Sequence, residues 1–287
     1  MKVSLLQSPS EFLIQTEALR AADPFRTNII GSVASSVANG SRTYERCFWW
    51  IITSESGEVI GAAMRTGPHG MVLTSMPKEA LRELAQLVSQ HDPDLPEIAG
   101  PAGVITEFLE AYRQTETDQS KRLFEESGHE LLYTLTHLHI PSVAGVMENA
   151  TREDYKKIYA WYVEFGNEAG LLMPNLEESI EDGLNRGSLR FWRLENEIVS
   201  MASHAPLVIT PSGTIGRIGP VYTPPIHRRH GYAGVLTAHL SQELMNQGVR
   251  VMLFTDAENP TSNSVYQKIG YELLDENKKF KFVEPAC

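Results

Sequence analysis

Gly219-Pro220-Val221-Tyr222-Thr223-Pro224-Pro225-Ile226-His227-Arg228-Arg229-His230-Gly231-Tyr232-Ala233 is the stretch on which the reading of the fold turns. An alternating apolar segment, Thr214 to Tyr222, runs into it, and Pro224-Pro225 interrupt the chain. An amphipathic segment, Tyr232 to Asn246, leaves it with Leu236, Leu240 and Leu244 in line. The predicted order is therefore strand, loop, helix. A helix that opens at a glycine leaves its first backbone N–H groups free, and with the helix dipole these form a site for anionic phosphate. Gly231 lets the backbone approach such a group closely, and Ala233 keeps a side chain out of the way. Arg228 and Arg229 add charge outside the loop. On its own the stretch reads as no more than an ordinary basic helix entrance.

Further along the chain, Gly248 stops the helix, and Val249 to Thr255 is a nearly continuous apolar run suited to a strand covered on both faces. A short helix, Ser262 to Ile269, closes at Gly270, and strands return from Tyr271. Upstream, Thr151 caps a predicted helix to Phe165 whose Ile158, Trp161, Tyr162 and Phe165 share a side. A second helix covers Leu176–Arg186, and a hairpin pairs Leu189–Leu194 with Ile198–Pro206 around Asn196.

The first half shows a similar order. A helix is predicted over residues 9–22, and the uncharged Thr27–Ser41 reads as part helix, part loop. Phe48–Ile52 and Val59–Met64 form a hairpin around Ser56-Gly57, with a further strand at His69–Thr74. A helix beginning near Ser75–Pro77 carries Leu81, Leu84, Ala85 and Val88 on one face. A strand at Ile98, a helix at Val104–Tyr112 and a final strand at Leu131–Ile140, ended by Pro141, complete it. Two hairpins, each followed by strand, helix, strand, helix and strand, predict a duplicated α/β unit with its seam near Pro141–Gly145. The expected fold is α/β with a mixed, mostly antiparallel sheet flanked by helices in each unit.

Bulk properties narrow the function. The 287 residues carry a formal charge of −11, which argues against binding driven by nucleic-acid phosphates and is compatible with a cationic amine substrate. Two distant cysteines, Cys47 and Cys287, give neither a disulfide framework nor a metal-ligand spacing. No run has the length of a membrane span, and Met1–Gln7 lacks a signal-peptide pattern, so a cytoplasmic location is expected. His227 and His230 flank two arginines without a carboxylate or cysteine to complete a ligand set, so no metal is expected. His137 and His139 read as packing or surface residues, and Gly100–Gly103 as a plain strand-to-helix turn.

A second segment, Asp256-Ala257-Glu258-Asn259-Pro260-Thr261-Ser262-Asn263-Ser264-Val265-Tyr266-Gln267-Lys268-Ile269-Gly270-Tyr271, follows the apolar run. Together with the loop, it closely resembles the GCN5-related N-acetyltransferase superfamily, in particular its bacterial tandem-domain members. Arg228, Gly231 and Ala233 match the family's loop pattern, and Asn259, Tyr266, Lys268, Gly270 and Tyr271 its second signature. The resemblance implies a tandem fold: residues 1–141 as a degenerate unit without a cofactor loop, and 145–287 as the catalytic unit. It implies acetyl-CoA as co-substrate and a small-molecule or peptide amine as acceptor. Val221, Tyr222 and Thr223 would pair with the pantetheine arm, and Arg228, Arg229, His230, Gly231, Tyr232 and Ala233 would hold the pyrophosphate. Asn259 and Ser262 would reach the pantetheine or the far end of the cofactor, and Tyr266 would protonate the departing thiolate.

The chemistry suits these residue types. An amine must be neutral to attack a thioester, so a carboxylate, histidine or water chain has to accept a proton. Glu164, Glu168, His204 and Glu258 are the candidates, each also readable as solvated or structural, with His204 slightly ahead because it is neutral near pH 7. Tyr266 also reads as a core tyrosine beside Val265 and Ile269. In the first half, Thr74–Leu81 stands where the second has its loop but contains no glycine. Two other readings stay open: transfer of another acyl group, as in glycine N-acyltransferases, and a non-catalytic acyl-CoA sensor. Neither the acceptor nor the oligomeric state is legible.

Overall fold

The computed structural model describes residues 1–115, 122–171, 173 and 175–283. The first half supplies β1 (Lys2–Leu6), α1 (Pro9–Gln15), α2 (Glu17–Ala22), α3 (Asn28–Ala38), β2 (Cys47–Thr53), β3 (Val59–Thr66), β4 (Met71–Leu73), α4 (Lys78–His91), β5 (Glu97–Pro101), α5 (Ala102–Arg113) and β6 (Leu123–Leu135). The second supplies β7 (Val146–Asn149), α6 (Tyr155–Ala169), α7 (Leu176–Asn185), β8 (Leu189–Leu194), β9 (Glu197–His204), β10 (Val208–Thr210) and β11 (Gly213–Tyr222). It continues with α8 (Tyr232–Asn246), β12 (Val249–Asp256), α9 (Pro260–Lys268) and β13 (Tyr271–Val283). All the strands join one sheet in the order β1-β2-β3-β4-β5-β13-β6-β12-β11-β9-β8-β7, with β10 attached to β11. Pairing is antiparallel except for β4–β5 and β11–β12, so the mixed, mostly antiparallel sheet is as expected.

Burial explains why some strands read as continuous apolar runs. In β2, Trp50 and Ile52 pack with α4 and α5, while Trp49 and Ile51 face α1 and α3. In β12, Val251 and Leu253 lie under α8, whereas Met252 packs with Leu132 and Phe25 on the opposite face. Strands covered on both sides need no polar alternation.

The order of the middle strands departs from a simple side-by-side duplication. β6 lies between β13 and β12, and β13 lies between β5 and β6, so each half receives a strand from the other. The central pair runs from Tyr271↔Leu135 to Val283↔Leu123, with the register shifting between Leu273 and Asp275 and between Lys279 and Phe280. Lys278–Glu126 at 2.8 Å, Lys279–Glu130 at 2.7 Å and Lys281–Glu125 at 3.0 Å lie along it. These pairs are partly exposed and add about 0–1 kcal/mol each. Apolar contacts matter more: Phe124 meets Phe282 edge-on at 4.9 Å, and Tyr112 meets Phe282 at 5.2 Å.

Several expected elements shift for identifiable reasons. The strand expected at Leu131–Ile140 instead occupies Leu123–Leu135. Beyond Leu135 the chain turns over Gly270, whose carbonyl accepts from the N–H groups of Thr136 (3.2 Å) and His137 (3.4 Å). The helix expected over 9–22 divides at buried Thr16, whose hydroxyl donates back to the Phe12 carbonyl at 2.6 Å. Met1–Gln7 contains an unforeseen strand, β1, which pairs with β2 from Lys2↔Thr53 to Leu6↔Trp49.

A fragment comprising 145–287 leaves the apolar edge of β12 without β6, an aggregation-prone arrangement. Expressed alone it is expected to be insoluble or molten, and co-expression with 1–144 to restore a folded complex, as read by size-exclusion chromatography and amide-dispersion NMR. A monomeric, well-dispersed 145–287 would contradict the shared-strand arrangement.

Candidate active site

The parallel ladder between β11 and β12 runs from Thr214↔Val249 to Ile218↔Leu253 and stops there. β11 nevertheless stays with β9, pairing Val221↔Ala202 and Tyr222↔Met201 after a bulge between Ile218 and Val221. A bulge bends the strand that carries it, so the end of β11 leans away from β12 and the sheet opens into a V. Two serines of β9 hold the bent edge: Ser203 Oγ donates to the Gly219 carbonyl at 2.9 Å, and buried Ser200 Oγ to the Tyr222 carbonyl at 3.1 Å. Inside the V, the backbone groups of β11 that would have continued the ladder lack a strand partner and call for a ligand or water.

The predicted loop opens beside this gap. A 3-10 turn at Pro225–His227 leads to extended Arg228, then Arg229 with φ 67° and Gly231 with φ 82°, where α8 starts. The first α-helical bond is from the Val235 N–H to the Gly231 carbonyl. Among the described residues, the backbone N–H groups from Arg229 to Gly234 have no protein acceptor. Gly231 has no side chain to cap the helix, so these donors and the helix dipole converge on one open space. A Cβ on Gly231 would stand 3.2 Å from Val143 Cγ2 as well as straining a left-handed backbone. The ring of Tyr232 stacks under His230 with centroids 5.4 Å apart.

Arg228, read from the sequence as extra charge for the loop, turns the other way. Its Nε donates to the Thr223 carbonyl at 2.8 Å and its Nη2 to Glu168 at 2.8 and 2.6 Å. Arg229 is exposed and free of ion pairs among the described residues. Glu164 and Glu168 are separated by one turn of α6 and so share a face; both meet the hydroxyl of Tyr222, which donates to Glu164 at 2.8 Å and lies 3.4 Å from Glu168. Burial first, then the hydrogen bond to Glu164 and the charge of Glu168, raise the Tyr222 phenol far above its ordinary value. A chain of carboxylate, phenol, carboxylate and guanidinium thus borders the V on the α6 side.

The second sequence motif forms the start of α9. Asn259 caps this helix by accepting from the Ser262 N–H at 3.0 Å, so its Oδ1 is engaged in structure. Asn263, not singled out from the sequence, donates through Nδ2 to the carbonyls of Asp256 (3.1 Å) and Ala257 (3.4 Å), and its Oδ1 is buried without a partner among the described residues. The signal available was a short polar residue one turn past the cap. α9 reaches the loop at Gly234, where a Cβ would lie 3.1 Å from Val265 Cγ1. The neighbouring Tyr266 packs its ring edge-on against Tyr271 at 6.1 Å, and its hydroxyl has no hydrogen-bond partner among the described residues. Surrounding protein pushes that phenol up to about 12, so it keeps its proton at neutral pH.

The remaining base candidates are placed differently. His204 holds the Ala205 carbonyl through Nδ1 at 2.8 Å, and burial lowers its pKa, so the ring is neutral near pH 7. Its electrostatic neighbours include Arg190 and Glu243 of α8 rather than the Tyr222 group. Glu258 is exposed in the turn before α9.

Comparison with known proteins adds to this geometry. Residues 204–280 match the family model described as FR47-like protein. The fold superposes on an acetyltransferase from the GNAT family of Colwellia psychrerythraea with TM-score 0.60, 13% identity, and coverage of 98% of this chain and 100% of that one. It superposes on a GCN5-related N-acetyltransferase from Sphaerobacter thermophilus with TM-score 0.65, 13% identity, and coverage of 99% and 97%. A tandem GNAT protein from the clavulanic acid biosynthesis pathway aligns over 100% of both chains with TM-score 0.57 and 11% identity. No curated protein sequence matches the chain. Among the described residues, no helix is long and apolar enough to cross a membrane.

The phenols of Tyr222, Tyr266 and Tyr271 all titrate above the unperturbed value in the folded chain. The unfolded chain releases these protons first, so stability is full below about pH 10 and falls as pH rises through the folded values. For Tyr266 this window ends at about 12. The urea midpoint of Tyr266→Phe is therefore expected to decline less steeply than that of the unmodified chain across this range. Parallel slopes would contradict the assignment.

Proposed function

We propose that the chain is a GCN5-related N-acetyltransferase of the tandem form and that it transfers the acetyl group of acetyl-CoA to a primary amine. The observation that carries this reading is the run of unbonded N–H groups from Arg229 to Gly234, opening beside the V between β11 and β12. An anionic pyrophosphate satisfies those donors. The pantetheine arm, itself rich in amides, lies along Val221–Thr223 and replaces the ladder that β12 abandons.

Each chemical step has a group in place. Glu164, helped by Tyr222, draws the proton from the incoming ammonium. Strand amides of the bent β11 face the oxygen on which charge develops. Tyr266, protonated and without a competing partner, donates to the departing thiolate. Arg228 binds Glu168 and so fixes that carboxylate near the acceptor.

The first half serves the second without holding a cofactor. β4 ends at Leu73 but remains against β5, since a Cβ on Gly100 would stand 2.8 Å from the Leu73 carbonyl oxygen. Thr74 Oγ1 donates to the Ala62 carbonyl at 3.1 Å and accepts the Ala62 N–H at 2.9 Å, tying the strand end to β3 where the other half splays. Glu79 then sits in the first turn of α4, where its charge repels an anion.

Tyr266→Phe is expected to lower kcat about 10²-fold or more, as loss of a general acid does, with acetyl-CoA affinity nearly unchanged. Calorimetry is expected to show one acetyl-CoA per chain, and two would refute the assignment of the first half. Thiol release across a panel of amines separates the readings: binding without release identifies a sensor, and preference for longer acyl chains an acyltransferase of another kind.

A further inference from the structure

Arg217 is a charge placed in the middle of β11, where the neighbouring Ile215 and Ile218 are buried. It shares a face of β11 with Ile215, which packs with Met252 and with Leu132 and Phe25 from the first half. The guanidinium has no hydrogen bond or ion pair among the described residues, in a chain of net charge −11. The carboxylate nearest to it electrostatically, Glu130, is taken by Lys279 at 2.7 Å. A second arginine, Arg42 from the segment after α3, adds positive potential at the same place. Its contact is a long hydrogen bond to Ser179 of α7 at 3.5 Å, and it too lacks a carboxylate among the described residues. Arg42 also acts on Tyr162, whose hydroxyl lies 3.3 Å from Ser203 Oγ, which in turn holds the Gly219 carbonyl at the bulge. Two arginines from different halves thus lie near each other, with Arg217 two residues before the bulge, and burial lowers the pKa of Arg217 to about 10.

A half-buried guanidinium without a protein partner is open to a ligand, and it is the side chain best suited to grip a carboxylate with two parallel hydrogen bonds. Along β11, Arg217 and the Tyr222–Glu164–Glu168 group flank the bulge at Gly219–Pro220 from either side. An acceptor with an ammonium at one end and a carboxylate at the other satisfies both. We infer that Arg217, with Arg42, forms a carboxylate subsite, so that the acyl acceptor is an amino carboxylate such as an amino acid or short peptide. This inference rests on the acetyl-transfer reading for the identity of the amine, but not for the anion subsite itself.

The test compares acceptors that differ by the carboxylate alone: glycine with methylamine, and β-alanine with ethylamine. The carboxylate-bearing member is expected to have a kcat/KM at least about tenfold higher, the range of a charge-assisted hydrogen bond. In Arg217→Met that ratio collapses, mainly through KM, while Arg217→Lys retains part of it. N-acetylglycine binding, followed by calorimetry in the presence of CoA, requires no turnover and is expected to weaken about tenfold or more in Arg217→Met on the same grounds. Arg42→Met serves as a second variant, and unchanged acetyl-CoA affinity reports that the fold is intact. An equal acceptor ratio, or equal N-acetylglycine affinity, in the unmodified chain and Arg217→Met overturns the subsite. A stronger preference for 2-aminoethyl phosphate over ethylamine than for β-alanine assigns the site to phosphate and overturns the carboxylate. Absence of thiol release with every amine refutes acetyl transfer, while the N-acetylglycine affinities still decide on Arg217.

Discussion

The antiparallel pairing of β6 with β13 is the interaction on which the arrangement depends. Each strand is 13 residues long, and each finishes the sheet of the other half. β13 covers the edge of β5 that would otherwise be open, and β6 does the same for β12. With β12 clamped on that side from Met252↔Thr134 to Asp256↔Glu130, the bend in β11 opens a gap on its other side without releasing β12. The same exchange brings the first-half helices over the second half's sheet. Phe25 packs with Met252 and Leu132, Arg26 binds the Asp275 carboxylate, and a Cβ on Gly31 would stand 3.2 Å from Val208.

The two parallel strand pairs show how one duplicated plan reaches two outcomes. Both consist of a strand, a connector, a helix and a return strand. In β4–β5 the hydroxyl of Thr74 bridges back to β3, and the pair remains closed at Leu73 and Gly100. In β11–β12 an extra residue lies at the bulge, and the hydroxyls of Ser200 and Ser203 secure the displaced segment to β9 instead. A few local hydrogen bonds decide whether the backbone polar groups are satisfied within the sheet or left for a ligand. The electrostatics follow the same division. An acidic chain gathers unpaired donors at the start of α8 and around Arg217, while Glu125, Glu126 and Glu130 of β6 are matched by lysines of β13.

Much of this was legible in the residues. The helix at Tyr232–Asn246, the hairpin of β8 and β9, and the apolar β12 follow from periodicity and turn chemistry that act over short distances. The open N–H groups at Gly231 were readable because a helix start exposes them whatever surrounds it. β1 and the early part of β6 were not, since Leu123–Glu130 is acidic and becomes a strand only opposite the lysines of β13. No pattern in a single sequence reports a partner more than a hundred positions away.

The sequence by itself therefore determined the elements whose formation depends on neighbouring residues, and the types of group available for chemistry: the glycine-led helix start, the capped α9 and Tyr266. Tertiary structure decided where those groups point and what they meet. It turned Arg228 toward Glu168 and not toward the loop, joined Glu164 to Tyr222, and engaged Asn259 in a cap. It also left Arg217 unpaired beside Arg42. Each of these outcomes depends on long-range pairing through β6 and β13, and charges respond to the neighbours they are given rather than to their place in the chain.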